Sequence, residues 1–268
     1  MKINLINKSV IYNLKNNHRH IGEYFEIIKY NNFYFLYYSN IDDIYLVKSN
    51  NLNFNKPILK KKITDCSGGN FSIIKEGNIL YMLCGSHRSN KEKNEIEIPD
   101  LVWPKEKKTI LDWNINRGDK KNGEYLLKSN DGINWKQIGN KPVLHSYIKS
   151  SSCKLGEVCF DTHPSLIKYK NEYYYYGRLN SSLDERRIYL RKSKDLINWS
   201  LPEKIKIKNE NNNKLKKNYY NFVVFKKDKI LYAFTPYFEA CGTEKRVTTN
   251  GKTLLLRSKD FWNEFLAS

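Results

Sequence analysis

An all-β fold, a β-propeller of four-stranded antiparallel blades, is what this sequence predicts. Three observations predict it: one short motif recurs four times, an aromatic-rich hairpin accompanies each copy, and the composition favours strands over helices. The 20 Tyr and 12 Phe supply side chains that pack well on pleated surfaces, while alanine-rich helical stretches are absent. At 268 residues the chain is longer than an ordinary single domain, yet all-β folds of this size form one unit, so residues 1–268 are expected to be a single propeller domain.

The recurring motif reads YLVKSNNLNF, YLLKSNDGINW, YLRKSKDLINW and LLLRSKDFW, with its serine at Ser49, Ser129, Ser193 and Ser258. The intervals are 80, 64 and 65 residues, and the longer first one contains a charged, proline-containing insertion from Arg88 to Asn122. Ahead of each motif lies an apolar strand, a Gly/Asn/Asp turn and an aromatic strand, the pattern of a tight hairpin. These hairpins are FEIIKYNNFYFLYYS from Phe25, FSIIKEGNILYMLCGS from Phe71, HPSLIKYKNEYYYYGR from His163 and NFVVFKKDKILYAFTP from Asn221. Each unit is therefore a four-stranded meander with two open edges, and several must pack around an axis to bury their faces. Four repeats are legible. Residues 1–20 are left to supply a closing strand or part of a degenerate fifth blade, so five blades are expected, with four as the alternative.

The formal net charge of +19 comes from lysines spread along the chain together with abundant Asn, Ile and Tyr, the pattern an AT-rich coding sequence produces. No nucleic-acid-binding motif accompanies it, so neither nucleic acid nor membrane is an expected partner. Cys66, Cys84, Cys153, Cys159 and Cys241 are odd in number and lack CxxC spacing, which argues for reduced thiols and against a zinc site. The first residues, MKINLINKSVIYNLKNN, hold no apolar run of signal-peptide length, and no segment approaches a membrane span. A cytoplasmic protein without cofactor or metal is the expectation.

At SKDLINW (Ser193–Trp199), preceded by HPSLIKYKNEYYYYGRLN, the chain resembles the five-bladed propeller glycosidases: arabinanases, β-xylosidases, invertases and levansucrases. The resemblance covers nearly the whole chain. In that group each blade opens with a DPS-I-I-like strand and closes with S-x-D-L-x-x-W. The closing motif is structural: its Ser and Asp tie down a turn while Trp135 and Trp199 fill space between blades, so it implies fold rather than activity. The same residues are similar to the Asp-box of sialidases, but six blades of about 65 residues would need a longer chain.

The resemblance implies an oligosaccharide or polysaccharide substrate and a glycoside hydrolase whose carboxyl acid/base pair sits at the channel mouth. In a propeller meander that mouth gathers the starts of the first strands and the loops between second and third strands. Asp65, Asp161 and Glu239 are the catalytic candidates, although Asp65 and Asp161 equally suit turn capping. Glu239 follows an aromatic strand and opens a polar loop beside Tyr237 and Phe238, a setting that suits a general acid. Glu23, Asn70, His87, His163, Arg178 and Asn180 are the substrate-binding candidates. His163 brings an imidazole for orienting a hydroxyl, and Arg178 a guanidinium fork for an anionic sugar group. Glu26 begins the first blade with Glu23 at the same mouth, and equally suits pairing with a surface lysine.

One departure stands out. Where the family carries an essential Asp, immediately before its proline, alignment on the apolar pairs places Tyr24, Asn70, His163 and Tyr220, none of them a carboxylate. A non-catalytic propeller that binds glycans or proteins is accordingly the alternative reading.

Overall fold

The computed structural model describes residues 21–40, 43–64, 70–85, 123–145, 147–148, 157–159, 163–182, 185–208, 216–240, 249–258 and 263–267. Among these residues there is no helix, and the strands form four blades. The first blade comprises β1 (Ile21–Tyr30), β2 (Phe33–Asn40), β3 (Asp43–Ser49) and β4 (Leu59–Thr64). The second comprises β5 (Phe71–Glu76), β6 (Ile79–Cys84), β7 (Gly123–Ser129) and β8 (Lys136–Ile138), with the short β9 (Leu144–His145) also paired to β7. Two short strands, β10 (Tyr147–Ile148) and β11 (Glu157–Cys159), lead into the third blade: β12 (Ser165–Tyr169), β13 (Glu172–Ser182), β14 (Glu185–Ser193) and β15 (Glu203–Lys204). After β16 (Lys206–Lys208) and β17 (Lys216–Tyr219), the fourth blade is β18 (Val223–Lys227), β19 (Ile230–Ala240), β20 (Thr249–Ser258) and β21 (Glu264–Ala267). Four blades, the second of the two expected counts, are thus what the described residues form.

The hairpin turns fix a common register. Tyr30↔Phe33, Glu76↔Ile79, Tyr169↔Glu172 and Lys227↔Ile230 close the four inner hairpins. The first turn residue of each is left-handed: Asn31 (φ 46), Gly77 (φ 57), Lys170 (φ 55) and Asp228 (φ 56). In the first blade Asn32 follows at φ 64, so both central residues adopt the conformation that Asn tolerates and a tight hairpin requires.

Counting back from these turns makes Ile27, Ile73, Leu166 and Val224 equivalent, paired with Leu36, Met82, Tyr175 and Ala233. A clamp repeats one residue earlier. Glu26 Oε2 accepts the Ile73 amide at 2.8 Å, Ser72 Oγ accepts that of Leu166 at 3.2 Å, and Ser165 Oγ accepts that of Val224 at 3.0 Å. Each blade thereby caps a backbone donor on the inner strand of the next, where an unmet buried N–H would be costly. Near the turns a second contact repeats: Lys75 Nζ lies 5.4 Å from the Tyr30 ring centre, Lys168 binds Glu76 at 2.5 Å, and Lys226 Nζ lies 4.4 Å from the Tyr169 ring centre.

Apolar clusters fill the three successive junctions. Phe35, Tyr37, Phe71 and Met82 join blades one and two; Leu83, Leu126, Leu166 and Tyr175 join two and three; Tyr176, Leu190, Phe222 and Leu256 join three and four. The serine motif acts as expected from sequence. Asp195 accepts the Ile197 and Asn198 amides at 2.9 and 2.7 Å while Ser193 Oγ accepts that of Leu196 at 3.0 Å, and Ser129 and Asp131 repeat the arrangement. Trp135 packs edge-on to Tyr37 at 5.9 Å, across the first junction.

The expectation of reduced thiols is overturned at one position, since the buried Cys84 is disulfide-bonded. Its partner lies outside the described side chains. No helix among the described residues is long and apolar enough to cross a membrane.

Candidate functional site

The register moves one member of the key inner-strand set. The residues seven positions before the left-handed turn residues are Tyr24, Asn70, His163 and Asn221, so Asn221 rather than Tyr220 belongs with the other three. Matching apolar pairs had aligned Val223 with Ile27, whereas the ladder pairs Val224 where the first blade pairs Ile27. A one-residue slip turns every side chain to the other face of a strand, so the correction changes which group faces the channel. No carboxylate occupies any of the four places.

These positions bury polar groups. Asn70 is 2% exposed, and the Asn221 side chain has its Oδ1 buried without a hydrogen-bond partner. His163 is packed between Tyr24 and Phe71, with ring centres 5.7 and 5.5 Å away. Tyr24 belongs to the first blade and His163 to the third, so the two meet across the channel.

His163 Nδ1 lies 2.8 Å from the Pro164 carbonyl oxygen and therefore carries the proton in the neutral ring. Its Nε2 is buried without a hydrogen-bond partner, and Glu26 Oε1 is 3.8 Å from it. Burial pushes the imidazole down to about 4, against the opposing effect of the Pro164 contact.

Glu26 is the main surprise. A surface lysine was one expected partner, but its side chain is 18% exposed, and among the described residues no Lys or Arg pairs with it. Because β1 runs along the inner edge of its blade, Glu26 points at the neighbouring inner strand instead of at solvent. Its Oε1 accepts the Ser72 hydroxyl at 2.8 Å and its Oε2 the Ile73 amide at 2.8 Å. Burial raises the carboxyl to about 8, outweighing those two hydrogen bonds, which favour the ionised form.

Arg178 was expected in a loop at the mouth and lies within β13, opposite Ile188, at 2% exposure. Its guanidinium carbon sits 4.4 Å over the Tyr220 ring. The side chain is thus held flat by an aromatic face from the fourth blade. Glu239 also lies within a strand rather than opening a loop: β17 pairs it with Lys217 and β20 with Thr249, which extends β19 past the aromatic segment. Asn180 pairs with Val158 and Arg186 in β13, and Glu23 falls in β1; the side chains of Glu239, Asn180 and Glu23 lie outside the described set. Asp65, Asp161 and His87 lie outside the described residues altogether.

The described contacts form two groups: His163 with Tyr24, Phe71 and the Glu26 carboxyl, and Arg178 with Tyr220. Such groups can bind hydroxyls and an anion and can hold a proton. Among the described residues no group of three or more His, Cys, Asp or Glu is placed to hold a metal ion. Sequence reading placed Glu26 at the mouth but missed its burial, and it missed Asn221. The seven-residue distance to the turn was a usable signal for Asn221; for Glu26 there was none, because its partners lie 46 and 47 residues away.

No family model matches the sequence, and no curated protein is similar to it. Solved structures are. A variant of a β-fructofuranosidase from Bombyx mori in complex with sucrose matches at TM-score 0.51 and 17% identity, over 94% of this chain and 50% of that one. An endo-arabinase from Bacteroides thetaiotaomicron matches at TM-score 0.58 and 13% identity, over 97% of this chain and 81% of that one. An α-L-arabinofuranosidase from Clostridium thermocellum matches at TM-score 0.56 and 12% identity, over 95% and 74%. The chain spans about half the length of the first of these. At such identities the likeness is one of architecture, and it establishes that this chain carries the β-propeller fold found in furanoside-processing glycosidases.

Proposed function

We propose that the chain is a glycoside hydrolase of the propeller type, acting on an oligosaccharide or polysaccharide at the channel mouth. One observation carries the reading: the four equivalent inner-strand positions hold hydrogen-bonding or aromatic side chains, Tyr24, Asn70, His163 and Asn221, with Asn70 buried and Tyr24 against His163, where a folding requirement alone favours apolar ones. Sugar rings present stacking faces and hydroxyls, which is what such a lining receives. Asp65, Asp161 and Glu239 remain the proposed carboxyl set, one protonating the leaving oxygen and another activating water or attacking carbon. Glu23, Asn70, His87, His163, Arg178 and Asn180 are the proposed binding residues.

The test is hydrolysis of a panel of aryl furanosides and pyranosides by the wild type, Asp161→Asn and Glu239→Gln. Turnover by the wild type that falls at least 100-fold in one of the variants, on the order expected of an acid or base, supports the reading. A second reading, a glycan-binding propeller without catalysis, is favoured by the lack of any carboxylate at the four positions. Binding on a glycan array with no turnover on any sugar would establish it. The cytoplasmic expectation sits poorly with the Cys84 disulfide, since such bonds persist in oxidising compartments.

A further inference from the structure

The row of blades ends in two apolar faces, one on the first blade and one on the fourth. Each junction between successive blades is filled from both sides, whereas among the described residues no apolar cluster spans the fourth and first blades. On the first blade, Ile27, Leu36, Val47 and Phe54 pack among themselves on the side turned away from the second blade. Phe25 takes the same side of β1 by alternation and is 55% exposed. On the fourth blade, Phe222 and Val224 pack toward the third, so Val223 and Phe225 take the opposite side. Val223 is 50% exposed there, and Phe225 stacks on Tyr232 and Phe234, with ring centres 5.5 Å apart in both pairs.

The clamp is open at the same place. The Ile73, Leu166 and Val224 amides each reach an oxygen borne by the preceding blade. Ile27 is the fourth member of that set, and Val223, at the clamp position of the fourth blade, has no side-chain oxygen to offer it. Every acceptor precedes its donor in the chain, so the acceptor for Ile27 is to be sought before β1. Residues 1–20 lie outside the described set, but their sequence holds the pattern: Ser9-Val10-Ile11 repeats Ser72-Ile73-Ile74 and Ser165-Leu166-Ile167, the two clamp serines with the apolar pairs that follow them. Ser9 stands as far before Ile21, where β1 begins, as Ser72 stands before Cys84, where the inner hairpin of the second blade ends. The intervening length is thus that of one inner hairpin.

We propose that the segment around Ser9 docks between the fourth and first blades, with Ser9 Oγ accepting the Ile27 amide. Alternation along an extended segment then turns Ile11 with Ser9 toward the first blade, and Val10 and Tyr12 toward Val223 and Phe225. Docking there covers apolar surface on both end blades and meets a backbone donor as the other three are met. The occupant is the chain's own segment because it is joined covalently to β1 at the open place and carries the acceptor that the register requires. A second copy packing its fourth blade on this first blade would set Val223 opposite Ile27 and leave the amide without an acceptor.

The experiment reads thiol labelling in the full chain, peptide by peptide by mass spectrometry, so that the native cysteines are counted apart. Val223→Cys reports the end face, and Leu201→Cys, between β14 and β15 at a residue 71% exposed, reports an open site. The expected result is labelling at least about tenfold slower at Val223→Cys than at Leu201→Cys, with the difference abolished when Val10→Asp is added. Equal labelling at the two sites overturns the proposal, as does protection that survives Val10→Asp. Surviving protection that grows with protein concentration assigns the face to a second copy instead. Amide exchange gives a reading that no introduced cysteine disturbs. Ser9→Ala is expected to speed exchange at the Ile27 amide by at least about tenfold while the Ile73 and Leu166 amides keep their wild-type rates. An Ile27 amide that exchanges alike in wild type and Ser9→Ala overturns the assignment of Ser9.

Discussion

Glu26 and Glu124 are both buried carboxyls raised to about 8, yet they lie in regions built for different ends. Glu26 retains some exposure and has an imidazole 3.8 Å away. Glu124 lies on β7 at 0% exposure, inside the junction between the second and third blades, where it accepts the Tyr175 hydroxyl at 2.6 Å and feels the charge of the buried Arg191. The comparison teaches that burial sets the direction of a carboxyl's shift, whereas the surroundings decide whether its proton can go anywhere.

The largest expected effect is on stability against pH. Both carboxyls ionise near 4.5 when unfolded and near 8 when folded, so across that interval the unfolded chain has released protons that the folded one keeps. Their contribution is full below about 4.5 and is lost as pH rises through about 8. His163 acts in the opposite sense, its contribution being full above about 6.5 and lost as pH falls toward about 4. Glu124→Gln is therefore expected to be more stable than wild type at pH 9 by about 1–3 kcal/mol, with a smaller gain for Glu26→Gln because its side chain is less completely removed from water. Denaturant unfolding at pH 5 and pH 9 measures it, and parallel curves for wild type and variants would contradict it.

A smaller effect probes the Glu124 side alone. Tyr175→Phe removes the hydroxyl that Glu124 accepts, and the expected cost is about 1–2 kcal/mol at pH 7, with the carboxyl moving further up. The smallest concerns the outer turn. Asp195, held down to about 2 by the Asn198 amide and side chain, is a turn fastener on the surface, and Asp195→Ala is expected to lower Tm by about 2–4 °C without touching turnover.

The fold was legible because its evidence is local and repeated. The hairpins, the serine motifs and the left-handed turn positions each lie within a dozen residues and recur at a steady interval. The inner-strand positions of the candidate site were legible where they share that local frame, as at Tyr24, Asn70 and His163. They blurred at the fourth blade, where Val223 and Val224 mimic the Ile27–Ile28 pair one residue out of step, so that only the pairing with β19 distinguishes them. The burial of Glu26 was opaque for a different reason. Nothing near it in the chain marks it as buried, since its amide donor, its hydroxyl donor and its imidazole all come from other blades. Strand alternation says which face a residue takes but not what stands opposite.

The clamp along the inner strands also gives the propeller an arrow. Every acceptor precedes its donor in the chain: Glu26 before Ile73, Ser72 before Leu166, Ser165 before Val224. The fourth blade has Val223 at that place, half exposed and with no side-chain oxygen to offer. Each of the first three described blades thus holds the group that the next inner strand needs, and the fourth described blade holds none, so the row has a direction along the chain.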